Sequence, residues 1–176
     1  MLFRSAKIFD RPDDLPIARK LVDGCLWAYH SMPTGIMPEL FHLTQCADPS
    51  DCSWIEQPYS EDPDKFPEFY DIQDKRYILR PEAIESLFIL YRITGDETLR
   101  EEAWKIFEAI ENHTKTEYGN AALVDVTLVS APKTDSMESF WTAETLKYFY
   151  LIFSAPELIS LDEWVFNTEA HPFKRP

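Results

Sequence analysis

The chain has 176 residues, 45% of them hydrophobic and 14% aromatic, with a formal net charge of −14. A chain of that size buries a proper core, roughly 70% of its unfolded surface. The charge excludes a nucleic-acid partner, whose phosphates need Lys and Arg. Four glycines leave no Gly-rich phosphate loop. No apolar run approaches the roughly 18 residues needed to span a membrane, so this segment makes no membrane contact. Acid combined with aromatic wealth suits a carbohydrate or a cation, the alternative being a merely solvated acidic surface.

The opening stretch, MLFRSAKIFDRPDD, has too short an apolar run for a secretory signal and no small-residue cleavage site. Met1, Leu2 and Phe3 with Ile8 and Phe9 read as the end of a helix begun further upstream. The chain is therefore expected to be a piece of something longer. Asp13 or Asp14 caps a first helix over LPIARKLVDGCLWAYHSM, with Leu21, Cys25, Trp27 and Tyr29 as its apolar side. PTGIMPE ends that helix, punctuated by Pro33, Gly35 and Pro38. Residues 39–76 then form a long, Pro- and Asp-rich excursion with little periodicity. Its aromatics, Phe41, Trp54, Tyr59, Phe66, Phe69 and Tyr70, suggest that it packs over something.

YILRPEAIESLFILYRITGD follows. Proline is tolerated at a first helical position, where its missing N–H would be unpaired anyway, so Arg80-Pro81 marks a helix entrance. That helix runs to about Thr94 and stops at Gly95, burying Ile84, Leu87, Phe88 and Tyr91. Glu82, Glu85, Ser86 and Ile89 share its other face. The helix dipole alone favours a glutamate in the first turn. After Asp96 a second helix, ETLREEAWKIFEAIENHTKTE, turns Leu99, Ala103, Ile106, Phe107 and Ile110 inward and completes an antiparallel hairpin. It contains the glycosylation sequon Asn112-His113-Thr114. YGNAALVDVTLVSAPK reads as a β-hairpin. TDSMESFWTAETLKYFYLIFS reads as a third helix, capped by Asp135 or Ser136, apolar almost all round and deeply buried. One short strand, Trp164 to Phe166, and a polar tail close the chain.

Three cysteines, Cys25, Cys46 and Cys52, lie around the long loop. Their spacing fits no common zinc pattern. Cys25 bridged to Cys46 or Cys52 would staple the loop to the first helix; three reduced thiols are the other reading.

Three acid-bearing segments stand out: RPEAIES, DSMESF and FNTEAHP. Helical hairpins packed around a common axis can bring such segments to one pocket. Glycoside hydrolysis needs a pair of carboxylates, one to protonate the leaving oxygen and one to activate water. Thr168 offers a hydroxyl and a carbonyl oxygen, hard ligands of the kind Ca²⁺ takes.

In their order along the chain, PTGIMPE, LRPEAIES, DSMESF with ETLKY, and WVFNTEAHP resemble the C-terminal part of the class I α-1,2-mannosidases, glycoside hydrolase family 47. The resemblance covers about Leu15 to His171. It implies an all-α fold, the C-terminal portion of an (α/α)7 barrel with a small β-hairpin plug. It further implies that residues 1–176 are a partial catalytic domain, about its last third, needing the remainder of the barrel. The activity implied is Ca²⁺-dependent, inverting removal of α-1,2-mannose from oligomannose N-glycans, in the endoplasmic reticulum or Golgi or after secretion. By the resemblance, Glu82 is the catalytic carboxylate and Arg80 binds substrate. Glu85, Glu138 and Glu169 hold sugar hydroxyls or calcium-bound waters, and Thr168 is the direct calcium ligand. Cys25 sits like the first cysteine of the family's disulfide. The family's other catalytic carboxylates lie upstream of this segment. A noncatalytic glycan-binding module of the quality-control type is the alternative. On its own the chain is expected to expose faces of helices 80–94 and 137–154 that the rest of a barrel would cover.

Overall fold

The computed structural model describes residue 6, residues 9–46, residue 48 and residues 69–176. Among the described residues four α-helices carry most of the order: α1 (Asp14–His30), α2 (Glu82–Thr94), α3 (Thr98–Thr114) and α4 (Leu146–Ile152). A π-helical turn, Trp141–Thr145, runs directly into α4. Two antiparallel pairs complete the architecture: β1 (Leu40–Leu43) with β2 (Phe69–Asp74), and β3 (Trp164–Phe166) with β4 (Pro172–Lys174). The chain is helical with small hairpins. Among the described residues, no helix is long and apolar enough to cross a membrane.

Helix α2 is the centre of the packing and touches α1, α3 and α4. The expected stripe of Ile84, Leu87, Phe88 and Tyr91 is buried, and so are Ala83, Ile89 and Leu90. Assigning Ile89 to the polar face was therefore wrong: neighbours enclose α2 on more than one side, so its apolar surface exceeds a single stripe. The stop at Gly95 is as expected. Its φ of 70° is left-handed, a conformation glycine adopts without the Cβ penalty, and its N–H donates to the Tyr91 carbonyl at 2.8 Å. Asp96 then opens α3, its Oδ1 accepting from the Thr98 N–H at 3.1 Å and the Thr98 hydroxyl at 2.6 Å. Arg19 of α1 reaches Asp96 Oδ2 at 2.7 Å, tying the first helix to the turn of the hairpin. Those bonds hold the Asp96 carboxyl below its ordinary range.

Several expectations give way here. In α1 the inward residues are Ala18, Val22, Ala28 and Tyr29, whereas Leu21 is 58% exposed beside Ile17. The apolar face left open is thus on α1 and not on α2, whose apolar residues are covered within the chain. Tyr150 is the exposed large residue of α4. The long excursion contains the pair β1–β2, on which Phe69 stacks against Trp27 and meets Phe41 edge-on. Tyr70 is exposed; Trp54, Tyr59 and Phe66 lie outside the described residues. The expected polar tail contains β4, which pairs Phe166 with Pro172 and Val165 with Phe173.

Residues 115–137 form no regular hairpin. Isolated bridges join Tyr77 with Leu123 and Leu123 with Lys133. Pro132 has no N–H for a ladder, and the Asp125 carboxylate turns the chain by accepting from the Thr127 N–H and hydroxyl. The same pairing delays the third helix. The Ser136 carbonyl accepts from the Ala122 N–H, and the Thr134 N–H donates to the Ala122 carbonyl. Helix therefore begins only near Phe140, not at Asp135 or Ser136. Gly35 is a position where glycine is needed: its φ is +69° and an added Cβ would come within 3.2 Å of Ala109 on α3.

The cysteine expectation is corrected as well. Cys46 is disulfide-bonded, and Cys25 is a free, half-buried thiol on α1. Cys52 lies outside the described residues. A sulfur makes one disulfide, so Cys46 is not available to Cys25. Burial pushes the Cys25 thiol above its ordinary pKa, which slows reactions that need the thiolate. Alkylation of oxidised, denatured protein without reductant is expected to label Cys25. A cross-linked peptide containing Cys25 in a non-reducing digest would contradict this assignment.

Candidate active site

The entrance of α2 is built by the segment before it. Leu79, fully buried, has φ of 68°; that left-handed turn is costly for a branched residue and reverses the chain just ahead of Arg80-Pro81. Two side chains from other elements hold it. Thr145, in the π-helical turn, donates its hydroxyl to the Leu79 carbonyl at 2.7 Å. Glu39, the last residue of PTGIMPE, accepts from the Ile78 N–H at 3.0 Å through Oε1 and from Arg80 Nε through Oε2. The Glu39 carboxylate is nearly buried, while the Arg80 guanidinium keeps about half its exposure. Arg80 is therefore fixed by Glu39 while part of its guanidinium stays open to solvent. It lies 3.8 Å from Glu82 and 5.8 Å from the centre of the Phe140 ring.

Glu82 and Glu85 stand one turn apart on α2, at its N-terminal end. Pi-helical turns widen a helix locally and recur at functional sites. This one carries Glu144, which sits among the same acids. Burial, and then the negative charges of Glu82, Glu169 and Glu85, push the Glu144 carboxyl above its ordinary pKa, with Lys147 opposing. Four carboxylates from three elements thus share one field: two on α2, one in the π-helical turn, one in the β3–β4 loop.

That loop is fixed by Asn167. Its Oδ1 accepts from the Glu169 N–H at 3.1 Å and the His171 N–H at 2.9 Å. Ala170 adopts a left-handed φ of 56°, and its carbonyl accepts from Lys147 Nζ of α4 at 2.8 Å. Thr168 and Glu169 are consequently presented at the exposed tip. Two residues back, Phe166 packs against Phe88 and Tyr148, so the tip is anchored in the core.

Of the residues expected from the sequence, Arg80 lies beside Glu82, and Glu82, Glu85 and Glu169 all act on the Glu144 carboxyl, with Thr168 next to Glu169 in the loop. Glu138 is exposed on the stretch before the π-helical turn, where Ser136 Oγ donates to it at 3.4 Å. Sequence reasoning missed Glu144, Glu39 and Phe140. Both acids lie inside quoted motifs, ETLKY and PTGIMPE. Glu144 would have been found by counting four residues on from Phe140, and Glu39 by asking what neutralises Arg80.

Among the described residues, no three His, Cys, Asp or Glu side chains come close enough to enclose a metal ion. The donors at hand are all oxygens, and negative charge is in excess, as the raised Glu144 carboxyl records. Such a set fits a hard cation held largely through water. It equally suits a polyol, whose hydroxyls donate to carboxylates.

The Glu144 carboxyl also gives a pH prediction. Its folded-state pKa lies above its unfolded value, so the folded state binds the proton more tightly. Its contribution to stability is full below the unfolded pKa and is lost as pH rises through the folded one. In calcium-free buffer, Glu144→Gln is expected to be more stable than wild type at pH 7, with the gain vanishing near pH 4. Urea titrations at the two pH values test this; an equal or opposite difference at pH 7 would refute it.

Glycosyl hydrolase family 47 matches the chain over residues 1–175. A mannosyl-oligosaccharide 1,2-alpha-mannosidase of Arabidopsis thaliana is 42% identical over 168 residues, covering 93% of this chain and 26% of that protein. The human endoplasmic reticulum mannosyl-oligosaccharide 1,2-alpha-mannosidase is 37% identical over 161 residues, 90% of this chain and 21% of its own length. Among solved structures, an alpha-1,2-mannosidase from Trichoderma reesei superposes with a TM-score of 0.83 at 32% identity, over 98% of this chain and 36% of its own. The chain spans about a quarter of the length of the curated relatives it matches.

Proposed function

The chain belongs to glycosyl hydrolase family 47, and on that premise we propose that it supplies one wall of the active site of an inverting α-1,2-mannosidase acting on oligomannose N-glycans. In this reading the helices α1–α4 are consecutive parts of an (α/α)7 barrel. The open Ile17–Leu21 face of α1 meets helices contributed from outside these residues. The observation that carries the proposal is the convergence of Glu82, Glu85, Glu144 and Glu169 beside Arg80.

The roles follow from position. Glu82 is exposed at the entrance of α2, where nothing among the described residues covers it except Arg80 at 3.8 Å. It can take a proton from an attacking water. Arg80, fixed by Glu39, orients the sugar with a guanidinium that cannot swing away. Phe140 beside it offers an apolar ring face to the sugar's C–H bonds. Glu85, Glu144 and Glu169 accept from sugar hydroxyls or hold cation-bound waters. Thr168 would hold Ca²⁺ through its hydroxyl and carbonyl oxygens, with Glu169 and Glu144 supporting through water. Bound there, the cation supplies charge that steadies the sugar hydroxyls and balances the acids. The acid that protonates the leaving oxygen lies outside this segment, across the sugar from Glu82.

One relative is named for the endoplasmic reticulum, which supports the reading that this chain works in the secretory pathway, in the endoplasmic reticulum or Golgi or after secretion. Calorimetry on a complete catalytic domain ending in this chain tests the site. Thr168→Ala is expected to weaken Ca²⁺ binding by at least the roughly 10–100-fold that loss of a supporting ligand costs, and chelator is expected to abolish mannose release. Unchanged Ca²⁺ affinity in the variant would contradict the assignment of Thr168.

A further inference from the structure

Beyond the carboxylate cluster, residues 116–121 and 134–137 enclose an open recess of about 370 Å³. It lies at the end of the helices where α3 finishes and α2 begins, the two being antiparallel. Its lining is mixed: Tyr118, Ala121 and Met137 supply apolar surface, and Asn120 with the Glu117 and Asp135 carboxylates supplies polar groups.

The recess is a built structure. Thr116 donates its hydroxyl to the Gly119 carbonyl at 2.9 Å, and the Thr116 N–H donates to the same carbonyl at 2.7 Å. Asn120 is locked below them. Its Nδ2 donates to Glu111 and Thr114, and its Oδ1 accepts from Trp141 Nε1 at 3.2 Å. Trp141 is buried at the start of the π-helical turn, three residues before Glu144, so the recess and the carboxylate cluster share one support. Gly119 closes on Met137, whose Sδ an added Cβ would meet at 3.1 Å.

On this fixed turn Tyr118 stands 91% exposed, the most exposed large apolar side chain described. Such a ring offers a ligand an apolar face and a polar tip together. The Glu117 and Asp135 carboxylates beside it have no hydrogen bond or ion pair among the described residues. An open aromatic face next to unengaged acceptors is complementary to a neutral polyol: C–H bonds lie on the ring while hydroxyls donate to carboxylates. It disfavours anions.

We propose that this recess is a second sugar-binding site, which holds a non-reacting mannose branch of the same glycan while the terminal mannose occupies the carboxylate cluster. The proposal rests on the reading of that cluster as a mannosidase site. A branched glycan anchored at Tyr118 is presented with less freedom, and the remote contact can select among branches.

An NMR titration of an isotope-labelled complete catalytic domain containing this chain, with Ca²⁺ present, separates the two claims. Branched α-1,3/α-1,6-mannotriose is expected to shift Tyr118, Asn120, Asp135 and Ser136. Tyr118→Ala should weaken that response about tenfold or more, and Tyr118→Phe should preserve it. Because Tyr118 is exposed, neither change should alter the remaining spectrum. No shifts at these residues, or equal affinity in Tyr118→Ala, would overturn the second site. In a parallel titration, α-1,2-mannobiose should shift Glu82, Glu85, Glu144 and Glu169. Failure there, with shifts at Tyr118 intact, would instead sink the reading of the cluster.

Discussion

Glu82→Gln in a complete catalytic domain is expected to cut turnover by about 10²–10⁴-fold, the usual contribution of a positioned general base. The amide keeps the shape and one acceptor oxygen but cannot take a proton from water. Fold and glycan binding should survive, because the Glu82 side chain is 65% exposed and its one ion-pair contact is the loose approach of Arg80. Losing a first-turn negative charge costs only about 0.3–1 kcal/mol. The kinetic signature is a fall in kcat with KM little changed, since water activation belongs to the transition state. Normal turnover in the variant would show that a different carboxylate is the base.

Phe88→Ala is expected to destabilise the chain by about 3–5 kcal/mol, the usual cost of removing a large buried ring. Phe88 has no exposed surface. It packs on Tyr148 of α4 and Phe166 of β3, with ring centres 5.7 Å and 6.0 Å away, and lies under the Arg92 guanidinium at 4.9 Å. A cavity there loosens three elements at once. Since Phe166 anchors the loop bearing Thr168 and Glu169, the same variant should lower Ca²⁺ affinity before it unfolds. Urea denaturation measures the first effect and calorimetry the second. A loss below about 1 kcal/mol would mean that the core collapses around the gap or that α4 and β3 are not packed as described.

The α2–α3 hairpin was legible because its punctuation is local: Pro81 at the start, Gly95 at the stop, Asp96 at the next cap. Arg80, Glu82, Glu85, Thr168 and Glu169 were candidates through the resemblance of their motifs to the family, and the structure sets them at the mouth of α2 and at the Asn167 turn. What depended on pairing at a distance was not legible. Ile89 looked polar-facing because a helical stripe assumes one neighbour, and α2 has three. The start of the third helix was misplaced because the backbone of residues 134–136 is spent on Ala122. Glu144 was passed over because its position reads as an ordinary helical glutamate; only the π-helical turn and three surrounding acids give it meaning. Cys25 was assigned a bridge on the family's precedent, and the structure leaves it a half-buried thiol.

The central proposal is stereochemical: an inverting hydrolysis needs a water on the face of the sugar opposite the leaving group, and Glu82 is proposed to activate it. Proton NMR of the first mannose released from an α-1,2-linked oligomannose by a complete catalytic domain ending in this chain tests it directly. The account predicts β-mannose as the initial product, followed by slow mutarotation, and no product from the Glu82→Gln form on the same timescale. Initial appearance of α-mannose would mean a covalent, retaining route and would contradict the role assigned to Glu82.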